Sequence, residues 1–272
     1  MGEVDLGAGH GFPQVLIVLA LTSVPHPGPW RVAKVGPMDT AADQELIAAV
    51  KGALRELANP ERATGAQAYM RSAIPSLGVR VPDVRRIAAR AAADFPPASA
   101  GQLRATVLEL WRTSTFREER YAAIDLTGHR LVARDLDMLP VYEEIIRTGA
   151  WWDFADGVSG RICGLLQAHR APVSATLRLW SHDPELWIRR ASITSQLRAK
   201  KDTDTALLAA VIEPNLADRE FFIRKAIGWA LREYGKTAPE WVEAFVARQG
   251  PAMSALSRRE ALRGIAAVPA PQ

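Results

Sequence analysis

A single cysteine, Cys163, occurs in the 272-residue chain, which rules out an intramolecular disulfide and a zinc site built on cysteines. The five histidines, at 10, 26, 129, 169 and 182, are scattered, with no helix-spaced pair to grip a metal. Neither a metal nor a cofactor is therefore expected. Membrane-spanning length is missing as well: the apolar run Val15–Leu21 is far too short to cross a bilayer. Glu3 and Asp5 precede that run where a signal peptide would carry basic residues. Strand-like alternation is scarce, and no phosphate loop or dinucleotide fingerprint occurs. Gly157-Val158-Ser159-Gly160 is not a nucleophile elbow, because its second glycine comes one place early. What remains is a globular mixture with a net charge of +4, by itself weak evidence for a polyanionic partner.

Residues 1–37 hold five of the 18 prolines and read as a disordered extension or a mis-assigned start, with a degenerate export signal as the lesser alternative. Their Arg31 and Lys34 cancel Glu3 and Asp5, so the basic excess sits in the rest of the chain. Asp39-Thr40-Ala41-Ala42-Asp43 is a good helix start. One domain is expected over 38–267, with a short tail at 268–272. A monomeric, cytoplasmic protein is expected.

From Met38 onward alanine, leucine and arginine dominate, and apolar positions recur at spacings of three and four. Breakers at Pro60, Pro75–Gly78, Pro82, Pro96-Pro97, Gly149, Pro172, Pro184, Pro214 and Pro239 cut this region into helix-length pieces. Pro82 and Pro184 read as first-turn prolines, with Asp83, Asp183 and Glu185 favouring the helix N-termini. Trp187-Ile188-Arg189-Arg190-Ala191 resembles Phe222-Ile223-Arg224-Lys225-Ala226, 35 residues later. Small residues recur at the same phase: Ala122, Gly157, Ala191 and Ala226. A period near 35 with two helices per unit predicts an all-α, HEAT-like repeat solenoid, whose inner helices would line a concave basic face.

Three helix faces are not explained by packing. Around 220–236 the stripe opposite the core is Lys225, Trp229, Arg232 and Lys236. Around 184–200 it is Trp187, Arg190, Thr194 and Arg198, with Lys201 beyond. Around 151–167 it is Trp152, Asp156, Ser159 and Cys163. Cations interleaved with aromatics suit a nucleic acid. By the repeat register Asp156, Arg190 and Lys225 occupy equivalent places, so one carboxylate stands in a row of cations. A carboxylate repels phosphate, which leaves two readings of Asp156: a structural ion pair to Arg190, or a group that stabilises developing positive charge or orients a water. Asp153 reads as a helix-start residue, Trp151, Trp111, Trp180 and Trp241 as packing residues, and Cys163 as inert for want of a nearby histidine.

Trp151-Trp152-Asp153-Phe154-Ala155-Asp156 resembles the Trp-Trp-Asp-x-x-Asp motif of the AlkD-like DNA alkylation repair proteins. The segment 220–234, the block Trp187-Ile188-Arg189-Arg190, and Tyr69-Met70 with Leu77-Gly78-Val79-Arg80-Val81-Pro82 are similar to further blocks of that family, in its order, over about residues 40–265. The resemblance implies HEAT-like repeats around duplex DNA and a monofunctional glycosylase that releases purines alkylated at N3 or N7 while the lesion stays stacked. It implies Asp156 as the catalytic carboxylate, Trp152 and Trp229 as lesion-site tryptophans, and DNA-backbone contacts at Tyr69, Arg190 and Arg232. Arg80 and Arg198 stand at contact positions but depart from the family's residue types; Lys225 is added from the stripe. Such a cationic purine is already a good leaving group, and the sugar becomes oxocarbenium-like as the bond lengthens. Aromatic faces and one carboxylate suffice for that chemistry. A non-catalytic binder of DNA structures on the same scaffold, and a protein–protein scaffold, are the alternatives.

Overall fold

The structure, a computed structural model, describes residues 41–263 and 265. The leader over 1–37, the helix start at Asp39 and the tail at 268–272 lie outside the described residues. Among the described residues there are thirteen α-helices and no strand. They are α1 (Gln44–Glu56), α2 (Pro60–Met70), α3 (Val81–Asp94), α4 (Ala100–Arg112), α5 (Arg117–Leu126), α6 (Met138–Gly149) and α7 (Trp152–Ala168). The rest are α8 (Arg170–Trp180), α9 (Leu186–Thr194), α10 (Thr205–Ile212), α11 (Phe221–Gly235), α12 (Pro239–Gln249) and α13 (Ala255–Leu262).

Local chemistry sets most of the helix starts. Asp43, Asn59, Ser99 and Asp204 cap α1, α2, α4 and α10, each side chain accepting a backbone N–H three residues on. Pro60, Pro82 and Pro239 occupy first-turn positions, where a missing N–H costs nothing. Pro184 does not. Asp183 accepts the Glu185 N–H at 2.8 Å and Glu185 accepts from Trp187 N, so a turn precedes the helix and α9 opens at Leu186.

The helices pack in sequence as two layers. In one, α1 lies on α3, α3 on α5, α5 on α7, α7 on α9, α9 on α11 and α11 on α13. In the other, α4 meets α6 and α8 meets α10, and α4, α6, α8 and α12 cover their odd-numbered neighbours. Between the layers sits a core containing Trp111, Tyr142, Phe154 and Phe245, all fully buried. Helix α2 stands apart, burying only Met70. Its following loop is tied down by Glu118 on α5, which accepts from Ser76 Oγ, Leu77 N and Gly78 N at 2.6–2.8 Å.

The period appears as rungs between successive units. Arg117–Asp153, Arg147–Asp183, Arg190–Asp156 and Arg170–Asp204 are ion pairs between residues 34–36 apart. Asn215 Nδ2 donates to Ser181 O across 34 residues. Ala122, Ala191 and Ala226 are fully buried at the layer contacts, as small residues should be. Gly157 is the exception: it is exposed, and a Cβ there would meet only Ile124, at an ordinary 3.4 Å.

Candidate functional site

Helices α7, α9 and α11 bring the central candidates together. Asp156 lies one turn into α7, Arg190 one turn into α9, and Trp229 midway along α11. Arg190 Nε and Nη2 donate to the two Asp156 carboxylate oxygens, each at 2.8 Å. Arg190 Nη1 donates to the Phe222 carbonyl at 2.7 Å, linking the pair to the first turn of α11. The Arg190 guanidinium lies 5.9 Å from the Phe222 ring centroid and 6.0 Å from that of Trp229. Trp152, one turn before Asp156, is half-buried against the core.

The pair is deeply set, with the Arg190 side chain 6 % and the Asp156 side chain 15 % exposed. Burial raises the Asp156 carboxyl above the ordinary range, and the Arg190 bonds and charge oppose that rise. Arg190 was expected to grip DNA phosphate; it is instead buried and fully engaged with Asp156 and Phe222. Of the two readings of Asp156, the ion pair to Arg190 is therefore present.

The expected open stripe on α9 also needs correction. Trp187 is buried, in ring contact with Phe222 at 5.1 Å and Trp151 at 5.8 Å. Thr194 is buried and bonded to Ser159 of α7 at 2.7 Å. Cys163 is buried too, and burial pushes its thiol pKa up, so it is poorly suited to act as a nucleophile. The reason is the same throughout: α9 is flanked by α7 and α11, so only a narrow strip of it can face solvent. Arg198 is exposed and lies over Gly160, where a Cβ would meet its Nε at 3.0 Å.

On α11, Lys225, Trp229 and Arg232 are half-buried and Lys236 is exposed. Lys225 Nζ lies 3.1 Å from Glu260 Oε1 on α13, and Arg232 Nη1 2.5 Å from Glu260 Oε2. Burial raises the Glu260 pKa, but bonding to Lys225 and the charges of Lys225, Arg232 and Arg263 outweigh it and hold the carboxyl below its ordinary value. Lys236 pairs with Glu233. Cations that look unaccompanied along one helix thus have acids, mostly from the next. Glu260 was missed, although it follows Lys225 by 35 residues, close to the 34 that separate Asp156 from Arg190.

Asp153 is more than a helix-start residue. Its carboxylate takes Arg117 Nη2 at 2.6 Å, Arg117 Nε at 3.0 Å and the Tyr121 hydroxyl at 2.5 Å. Arg117 also donates to Ser72 Oγ at 2.7 Å, so this buried cluster fixes the start of α7, and with it Trp152 and Asp156, to α5 and the loop after α2. Trp151 packs on Trp187 and Phe222 as expected. Trp111 and Trp180 are buried, and Trp241 is half-buried against Phe245 and Tyr234. The two N-terminal candidates are not brought to the Asp156 cluster by any bond: Tyr69 is 77 % exposed on α2, and exposed Arg80 is the N-cap of α3.

Beside Asp156, the outer strip of α7 carries Gly157, Gly160 and Gly164 at helical spacing. A Cβ at Gly164 would meet only Ala133 O, at 3.8 Å. Glycine inside a helix costs about 1 kcal/mol against alanine. Packing within the chain therefore calls for glycine at neither 157 nor 164. Among the described residues no group of His, Cys, Asp and Glu could hold a metal ion, and no helix is long and apolar enough to cross a membrane.

Comparison with known proteins agrees with this architecture. A predicted DNA alkylation repair enzyme from Enterococcus faecalis superposes with a TM-score of 0.70 at 28 % identity, over 78 % of this chain and 98 % of that one. The crystal structure of smu.31 from Streptococcus mutans UA159 matches in fold, with a TM-score of 0.53 at 14 % identity over 66 % of this chain and 90 % of the other. No curated protein matches the chain. Residues 50–265 match the family described as DNA alkylation repair enzyme, and the chain belongs to that family.

Proposed function

We propose that the protein is a monofunctional DNA glycosylase that hydrolyses the N-glycosidic bond of purines alkylated at N3 or N7 in duplex DNA. The observation that carries this reading is the Asp156–Arg190 pair, with the Trp229 ring 6.0 Å from the Arg190 guanidinium and Trp152 one turn before Asp156 on α7. A carboxylate held at a fixed place beside aromatic rings answers the needs of a cationic leaving base and a sugar turning oxocarbenium-like. Asp156 is the catalytic carboxylate; Trp152 and Trp229 face the lesion. Arg190 acts through Asp156: its two hydrogen bonds favour the ionised carboxylate against the cost of burial, and orient it. An ionised carboxylate some 4 Å from the forming sugar cation contributes on the order of 4 kcal/mol at an effective dielectric of 20. Backbone contacts fall to Tyr69, Arg80, Arg198, Lys225 and Arg232, arranged along a concave basic face. The glycine strip of α7 lets the sugar-phosphate chain approach Asp156 closely.

The test is release of 7-methylguanine or 3-methyladenine from methylated duplex DNA by the wild type and by Asp156→Asn. The expected result is release by the wild type and its loss in the variant, with DNA binding kept. Salt-dependent duplex binding by a wild type that releases neither base would instead favour the non-catalytic binder. A flat salt response would remove both DNA readings.

A further inference from the structure

Glu260, shared between Lys225 and Arg232, has a counterpart elsewhere in the layer. Asp125, near the end of α5, lies 3.6 Å from Arg85 Nε on α3 and 3.7 Å from Arg161 Nη2 on α7. These separations exceed hydrogen-bond length, so charge holds the two guanidinium groups while those N–H groups stay available. The three side chains line a cleft of about 400 Å³ with small, apolar Ala88 and Ala92 among its other walls. The Arg161 guanidinium crosses the end of α5 directly over Gly128, where a Cβ would meet its Cζ at 2.6 Å. A Cβ at 128 would force the Arg161 guanidinium to shift.

The charge count of this cleft is simple. Burial alone raises the Asp125 carboxyl, with Arg85 and Arg161 opposing, so the arginines are what favour the charged acid. His129 at the rim is pushed toward the neutral form by burial first and by Arg130 second. Two cations and one anion leave one positive charge. The Arg85 side chain is 64 % exposed and Arg161 32 %, so both can meet a ligand at the mouth. The small alanine walls offer no side-chain hydrogen bonds to a polar small molecule, whereas a singly charged, chain-like anion matches both the net charge and the open shape.

We propose that this cleft seats a phosphodiester of duplex DNA, with Arg85 and Arg161 as its ligands and Asp125 as the residue that positions them. The proposal rests on the DNA reading above and extends its interface from α7 back to α3. Arg161 follows Asp156 by five residues on α7, about 7.5 Å along the helix axis and about 140° around it, so its side chain reaches over the end of α5 and not alongside Asp156. Contacts of this kind fix register and carry no sequence information.

The test is binding of the full chain to an undamaged duplex, and to the same duplex carrying 7-methylguanine, between about 50 and 200 mM salt. For the double variant Arg85→Gln/Arg161→Gln the slope of log affinity against log salt should fall by about 1, the value for one lost phosphate contact. Both duplexes should weaken by the same factor, and Arg85→Lys/Arg161→Lys should restore the slope. A double glutamine variant with the wild-type slope, or a lysine variant no better than the glutamine one, would overturn the proposal while leaving the DNA reading intact. A wild type without salt dependence overturns both.

Discussion

Replacing Arg190 by glutamine probes the centre of the site. The change removes two hydrogen bonds to Asp156 at 2.8 Å and one to Phe222 O at 2.7 Å from a side chain only 6 % exposed. Breaking one side of a buried ion pair costs about 3–5 kcal/mol, because the remaining charge is left uncompensated. That loss should be seen by urea unfolding at pH 7. Its pH dependence carries the sharper test. Asp156 already has a raised folded-state pKa, so its contribution to stability is fully present below the ordinary carboxylate range and is lost as pH rises through the folded value. Without Arg190 the folded pKa climbs further, and the lost stability at pH 7 grows by about 1.4 kcal/mol per unit of climb. The variant should therefore be least damaged at the acid end, where Asp156 is protonated, and most damaged at pH 7. The acid limb of base release, which follows ionisation of Asp156, should move to higher pH. Replacing both partners, as Asp156→Leu/Arg190→Met, should recover most of the stability at pH 7 while abolishing release. A loss below about 1 kcal/mol at pH 7, or one equal at both pH values, would refute the uncompensated-charge argument.

Other outcomes follow from the same geometry. Gly157→Ala and Gly164→Ala should each raise stability by about 0.5–1 kcal/mol in thermal unfolding, since both Cβ atoms fit, yet lower base release if DNA approaches that strip. Gly78→Ala should destabilise by well over 1 kcal/mol, because φ is +73° and the new Cβ would meet Asn59 O at 2.2 Å. Glu260 has a depressed pKa, so its stabilising share is present at neutral pH and lost as pH falls through the folded value; Glu260→Gln should remove that portion of the acid-side decline in melting temperature. Glu118→Ala should cost about 3 kcal/mol in urea unfolding, because two buried N–H groups and one part-buried hydroxyl of the 76–78 loop lose a charged acceptor.

Much of the fold was legible along the chain, for local reasons. Asp43, Asn59 and the prolines at 60, 82 and 239 act over three or four residues, and they start helices where their chemistry says they should. The interval near 35 was legible because each unit meets the next through equivalent positions, now visible as the Arg117–Asp153 and Arg147–Asp183 rungs. Pro184 misled because Asp183 and Glu185 build a turn whose bonds compete with a helix start. Gly157 misled in a different way: its phase matched three buried alanines, while its place on α7 faces outward.

The site divides along the same line. The amino-acid sequence by itself determined the all-helical class, the repeat interval, and the convergence of Asp156, Arg190 and two tryptophans on neighbouring helices, because helical phase and a constant interval are properties of one chain read end to end. Which charges are free was decided only by tertiary structure. A stripe drawn on one helix cannot register an acid on the next, and an ion pair exists only within about 4 Å. So Arg190 proved to be buried on Asp156, Lys225 and Arg232 proved to share Glu260, and Arg85 and Arg161, which no stripe singled out, met at Asp125.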